Sequence, residues 1–160
     1  MIRRAVLSDL QRLFELLMET HAASKYAKWG ISVDETTAKS VLLDGVRRNG
    51  GDHNGATLLN VVEKNGKVEG FMFCLLQRIH SVGNRLEAQD LWLYCSPKAP
   101  KIAVSKLIDA YVEWADKSPK VAEIALSWTD AVAIDGAALG KVYARKGFQP
   151  AGEIWKRASQ

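Results

Sequence analysis

Leu91-Trp92-Leu93-Tyr94-Cys95, then Ser96-Pro97-Lys98-Ala99-Pro100-Lys101, then Ile102 to Ala115: the reading of this stretch decides the fold. Its first five residues are all apolar and rich in aromatics, which suits a buried central strand covered on both faces. Pro97 and Pro100 end that strand, because proline has no N–H to give and its ring blocks a helix interior. Val104, Leu107, Ile108, Tyr111 and Ala115 then recur at i, i+3, i+4, i+7 and i+11, which predicts an amphipathic helix over 102–115. A strand that feeds a helix through a short loop aims the first helical N–H groups at one point beyond the strand. Phosphates bind at such points.

Working back from there, Asn65-Gly66 separates two apolar runs, Thr57 to Glu63 and Val68 to Gln77. Both turn residues tolerate positive φ, so the pair predicts a tight hairpin. Phe71 to Leu76 shows no polar alternation and is expected to be central. Ile2 to Leu7 reads as a first strand. Ser8 and Gln11 form a Ser-x-x-Gln capping box before a stripe of Leu10, Leu13, Phe14 and Leu17, a helix expected to end near Ser24. Lys25 to Ser32 reads as a loop, and Asp34 caps a second helix with Ala38, Val41, Leu42 and Val46 inward. Forward from the central helix, residues 122–127 read as a strand. Asp135 caps a last helix, Gly147 stops it, and Ala151 to Arg157 reads as a final strand. The expected order is β-α-α-β-β-β-α-β-α-β: an α/β fold with a mixed, mostly antiparallel sheet and about four flanking helices, in a single domain spanning 1–160.

Composition narrows the classes. The 160 residues are 48% hydrophobic and 25% charged, which is ordinary globular composition. No apolar run reaches the roughly 18 residues of a membrane span. The N-terminal residues lack a long apolar segment of the signal-peptide kind, and Cys74 and Cys95 sit in apolar runs as free thiols. A cytoplasmic protein with no membrane partner is expected. The net charge is +4, but the basic pairs (Arg3/Arg4, Arg47/Arg48, Arg145/Lys146, Lys156/Arg157) are scattered, so no nucleic-acid partner is expected.

The element order, the length and the segment Val142-Tyr143-Ala144-Arg145-Lys146-Gly147-Phe148 resemble the GNAT superfamily of N-acyltransferases, whose last helix commonly ends in aliphatic–Tyr–x–Lys–x–Gly–Phe. Short phage-encoded acyltransferase-like proteins are a similar subgroup. The resemblance implies acetyl-CoA as cofactor, lying in a split between the strand at 91–95 and the next one. Its pantetheine would pair with Leu93, Tyr94 and Cys95. Its pyrophosphate would meet Lys98, Lys101, Ile102, Ala103 and Val104. The partner would be an amine of a small molecule or a protein, and a homodimer is admitted. The family's loop, Gln/Arg-x-x-Gly-x-Gly/Ala, is not reproduced: Ala99 to Val104 has neither glycine nor the leading basic residue, and Pro100 deletes a donor.

Acetyl transfer to an amine needs a base for the amine and an acid for the departing thiolate. Tyr143 stands at the family position that often supplies the acid, and a phenol is protonated at neutral pH. The competing reading is a core tyrosine. Asp90 abuts the apolar run and is the candidate base, ahead of Glu87. His21, Tyr26 and Trp29 fall where the resemblance places acceptor contacts, against ordinary roles in capping and anchoring. His21, His53 and His80 have no metal-ligand spacing. Two functions follow: an acetyl-CoA-dependent N-acetyltransferase, or a non-catalytic protein of the same fold that binds or assembles, with a decayed cofactor loop.

Overall fold

The computed structural model describes residues 1–131 and 135–159. Five strands form one sheet in the order β1-β2-β3-β4-β5: β1 Ile2–Arg4, β2 Thr57–Lys64, β3 Lys67–Arg78, β4 Leu86–Cys95 and β5 Val121–Ala125. The first three pairings are antiparallel and β4–β5 is parallel, which gives the mixed, mostly antiparallel sheet expected. The helices are α1 Leu10–Ala22, α2 Lys25–Lys28, α3 Glu35–Arg47, α4 Ala103–Asp116 and α5 Gly136–Arg145.

Strand alternation builds the two faces. Leu59, Val61, Phe71 and Phe73 point to α1 and α3, where Leu13, Leu16 and Leu42 are fully buried. Leu58, Val62, Met72 and Cys74 point to the other layer, under Leu107, Ile108 and Tyr111 of α4 and Tyr143 of α5. β3 is third of five and covered on both sides, hence its unbroken apolar run. At the hairpin, Lys64 pairs with Lys67, and Asn65 and Gly66 take φ of 52° and 75°. Asp34 accepts the Thr37 N–H (2.6 Å) and Asp135 the Ala138 N–H (3.0 Å), so both expected caps are made. Gly147, at φ 86°, closes α5: its N–H goes to the Ala144 carbonyl and that of Phe148 to the Tyr143 carbonyl.

Four expectations are corrected. Ser8 lies within a 3-10 turn, Leu7–Asp9, and caps nothing; Asp9 takes the Val6 N–H (2.8 Å) while Arg3 grips its carboxylate (2.7 and 3.0 Å). The loop after α1 contains the short helix α2, which Ser24 caps. The run expected to be buried is not: Leu91 is 42% exposed, and Trp92, Leu93, Tyr94 and Cys95 are half-buried. Ala151 to Arg157 forms no strand, since none of the described strands pairs with it. No helix among the described residues is long and apolar enough to cross a membrane.

Candidate active site at the parting of two strands

β4 and β5 pair from Leu86–Val121 to Gln89–Ala125 and then separate. The cause lies in β4. Phe73 pairs with Trp92 and Cys74 with Asp90, so Leu91 is an extra residue without a partner. Such a bulge bends its strand and increases the twist. It also shifts the alternation. Leu86 and Ala88 face α4 before the bulge, and Leu93 and Cys95 face it afterwards, while Trp92 and Tyr94 face α1 and α3. Beyond the bulge, the β4 edge toward β5 has no strand partner among the described residues, and backbone groups on such an edge can pair with a ligand.

Two candidate residues meet at the apex of this opening. Asp90, two residues after Ala88, accepts the Ser127 N–H at 2.9 Å and the Ser127 hydroxyl at 3.2 Å. Tyr143, buried on α5, donates its hydroxyl to the Ser127 carbonyl at 3.0 Å. Ser127 thus holds both side chains, one on each side of its peptide. Burial raises the Asp90 carboxyl above its ordinary 3.8, although the Ser127 donors pull the other way. Burial pushes the Tyr143 phenol up to about 12, and the nearby Asp90 charge adds to this. A raised carboxylate is a stronger base, and a raised phenol keeps its proton at neutral pH.

The loop toward α4 is tied at its start. The buried Ser96 donates its hydroxyl to Glu69 (2.7 Å), and its N–H meets the Glu69 carbonyl (2.8 Å). The Ser96 hydroxyl, with the Arg12 guanidinium 3.6 Å away and Lys98 and Lys67 beyond it, holds the Glu69 carboxyl below its usual value. Lys98 and Lys101 are exposed, with Lys64 Nζ donating to the Lys98 carbonyl (2.9 Å). Ile102, 57% exposed, is the N-cap of α4 and has no side chain to cap with, so no side chain competes for the first-turn N–H groups. The Ala103 N–H is spent on the Pro100 carbonyl (2.9 Å), and Val104 packs against the α4 core. These residues fit a diphosphate, with more crowding at Ile102 and Val104 than two glycines would give and one N–H fewer at Pro100. The free β4 edge fits an extended amide-bearing arm. The Cys95 thiol, pushed up to about 11 by burial, is not a thiolate at neutral pH and offers no nucleophile.

Across the opening, Lys25 at the start of α2 donates to Asp130 (2.6 Å), and its N–H meets the Ala131 carbonyl (2.8 Å). α2 is therefore fastened to the segment that follows β5. Tyr26 and Trp29 stack edge-to-face at 5.6 Å beneath the Lys25 ammonium. His21 meets the Ile31 carbonyl (2.7 Å), and Gln89 donates to Glu87 (2.7 Å), so both side chains have local roles. Among the described residues no three His, Cys, Asp or Glu side chains group for a metal. Sequence reasoning overlooked Ser127, which looked like an ordinary strand end. It also overlooked Glu69, whose signal was a lone carboxylate before the apolar run of β3.

No protein-family model matches the chain, and no curated protein matches it. Solved structures do. A tetramutant of a Bacillus halodurans protein superposes with a TM-score of 0.72 at 16% identity, over 99% of each chain. AAC(6')-Iy in complex with a CoA-bearing bisubstrate analogue gives 0.70 at 13%, over 100% of this chain and 97% of that one. A predicted acetyltransferase from Clostridium acetobutylicum with acetyl-CoA gives 0.66 at 14%, over 99% and 95%. At these identities the likeness shows the fold alone.

Proposed function

The fold is that of the GNAT-type acetyltransferases, and we propose that this chain is an acetyl-CoA-dependent N-acetyltransferase acting on an amine of a small molecule or a protein. One observation carries the reading: Asp90 and Tyr143 converge on Ser127 where β4 leaves β5, at the foot of an unpaired strand edge. Two of the similar structures hold acetyl-CoA or a CoA-bearing analogue, which supports the choice of cofactor.

Leu93, Tyr94 and Cys95 would hold the pantetheine arm along the β4 edge. The α4 N-terminus, with Lys98, Lys101, Ile102, Ala103 and Val104 around it, would hold the diphosphate. Bound there, acetyl-CoA supplies an activated thioester. Asp90, once ionised, accepts the proton of an incoming ammonium at its carboxylate. Tyr143 keeps its phenolic proton and, by releasing the Ser127 carbonyl, offers it to a departing sulfur. The assay is acetyl-CoA with a panel of amines, read as free thiol. Amine-dependent thiol release is expected, and its absence across the panel contradicts the proposal.

A second reading has its own observation. The Tyr143 hydroxyl is already bonded to Ser127, Pro100 removes a donor from the loop, and the side chains of Ile102 and Val104 crowd it. On that reading the chain is a non-catalytic binding or assembly protein of the same fold. Acetyl-CoA binding without acetyl transfer to any amine favours it.

A further inference from the structure

Asn60, in the middle of β2, is only 6% exposed, and its carboxamide has no hydrogen-bond partner among the described residues. A buried amide without a partner costs free energy. Neither amide atom is sealed inside the protein, however. Both open into a groove of about 310 Å³ between β1, β2 and α4.

Strand alternation and register decide which side chains reach this groove. Asn60 stands opposite Arg4 in the antiparallel β1–β2 pair, and directly opposed residues share a face. Arg3 turns to the other face, where Asp9 (2.7 Å) and Glu63 (2.6 Å) take its guanidinium. On α4, Lys117 and Glu113 pair with each other at 2.6 Å. Among the described residues, Arg4 is therefore the one cation of the groove without an ion-pair partner. Its guanidinium lies over Gly50, where a Cβ would come within 2.3 Å of Arg4 Cζ. The φ of 86° at Gly50 favours glycine for a second reason. Trp114 donates its indole N–H to the carbonyl of the next residue, Gly51 (2.9 Å). Guanidinium and indole thus converge on one turn at one end of the groove.

We propose that this groove is a binding site for a small monocarboxylate with an apolar body. The planar Arg4 fork takes the carboxylate through two parallel N–H bonds, and the Asn60 amide donates to it or to a neighbouring polar group of the ligand. Ile2, Leu58 and the Trp114 ring meet the apolar body. The charge balance selects a single negative group. One cation is uncompensated, and the Glu113 carboxylate lines the same groove, so a dianion such as phosphate meets repulsion there. The groove lies under the C-terminal half of α4, at β1, which is three positions from β4 in the sheet. It is separate from the opening between β4 and β5, and its occupation does not depend on acetyl-CoA binding.

NMR titration of the full chain tests this. The probes are butyrate, benzoate and phenylacetate, each against its neutral amide, with inorganic phosphate as the dianion. The expected result is a saturable shift of the Asn60 side-chain amide and the Trp114 indole N–H with at least one carboxylate. The matching neutral amide binds roughly tenfold or more weakly, since it loses the charge-assisted bonds. Arg4 is exposed, so Arg4→Gln keeps the fold, which its own spectrum checks. That variant should bind the carboxylate roughly tenfold or more weakly as well. The proposal is overturned if no carboxylate gives a saturable shift at Asn60, which leaves the amide to water. Undiminished binding by Arg4→Gln also overturns it, as does tighter binding of phosphate than of any carboxylate.

Discussion

Tyr143 donates its hydroxyl to the Ser127 carbonyl from a buried position, so Tyr143→Phe tests a structural and a chemical role together. Loss of that hydrogen bond costs about 1 kcal/mol in either role, read as a lower melting temperature. If the phenol also supplies the proton, turnover falls by roughly 10²–10⁴-fold with little change in KM. Unchanged turnover in an active protein removes the acid role. Asp90 behaves in the opposite sense. Its folded pKa is raised, so its protonated form is the better tolerated one in the folded protein. Its contribution to stability is full below the ordinary carboxylate value and is lost as pH rises through the folded value. Asp90→Asn is neutral at all pH and keeps an oxygen for the Ser127 N–H. At neutral pH it should leave the melting temperature equal or higher while turnover falls by roughly 10²–10⁴-fold. The native rate should climb with pH through a value above 3.8. A variant that melts lower and retains its rate contradicts both parts.

The loop between β4 and α4 departs furthest from a phosphate cradle. Ile102→Gly removes an exposed side chain at the helix entrance at little cost to packing, whereas Val104→Gly also strips a contact from the α4 core. Together they should tighten acetyl-CoA on the order of tenfold, since removing both side chains lets a diphosphate approach N–H groups already present, and a hydrogen bond to a charged group contributes roughly 1.5–3 kcal/mol. Pro100 still withholds one donor. Tighter binding by the native loop than by the glycine pair contradicts this account. On the other face, a Cβ at Gly45 of α3 would lie 2.7 Å from the Phe73 ring, which packs against Trp92. Gly45→Ala gains helix propensity but overpacks that contact, and a net loss of about 1–2 kcal/mol is expected by chemical denaturation. The helix at 102–115 was legible because its apolar stripe is strong. The bulge at Leu91 was not, because an all-apolar run reads the same whether or not one residue drops out of register. Gly45 was invisible too, as close approach of a helix to a sheet leaves no mark on periodicity.

For the whole molecule, the order of the longer elements from Ile2 to Gly147 was readable because their strand and helix periods are distinct, whereas the four-residue α2 is too short to show a period. The final strand was not, because a strand also needs a partner, and partners are not written in local pattern. The candidate site was half legible. Tyr143 and Asp90 were chosen from the sequence, but the residue that brings them together, Ser127, was not, since its role depends on where two strands part. The functional account rests on whether that parting holds acetyl-CoA. Calorimetric titration of the native chain with acetyl-CoA tests this most directly. Saturable binding of one molecule per chain is expected, weak in the native protein and tightened by the Ile102→Gly/Val104→Gly pair. No heat of binding from either protein, with both folded, would contradict it.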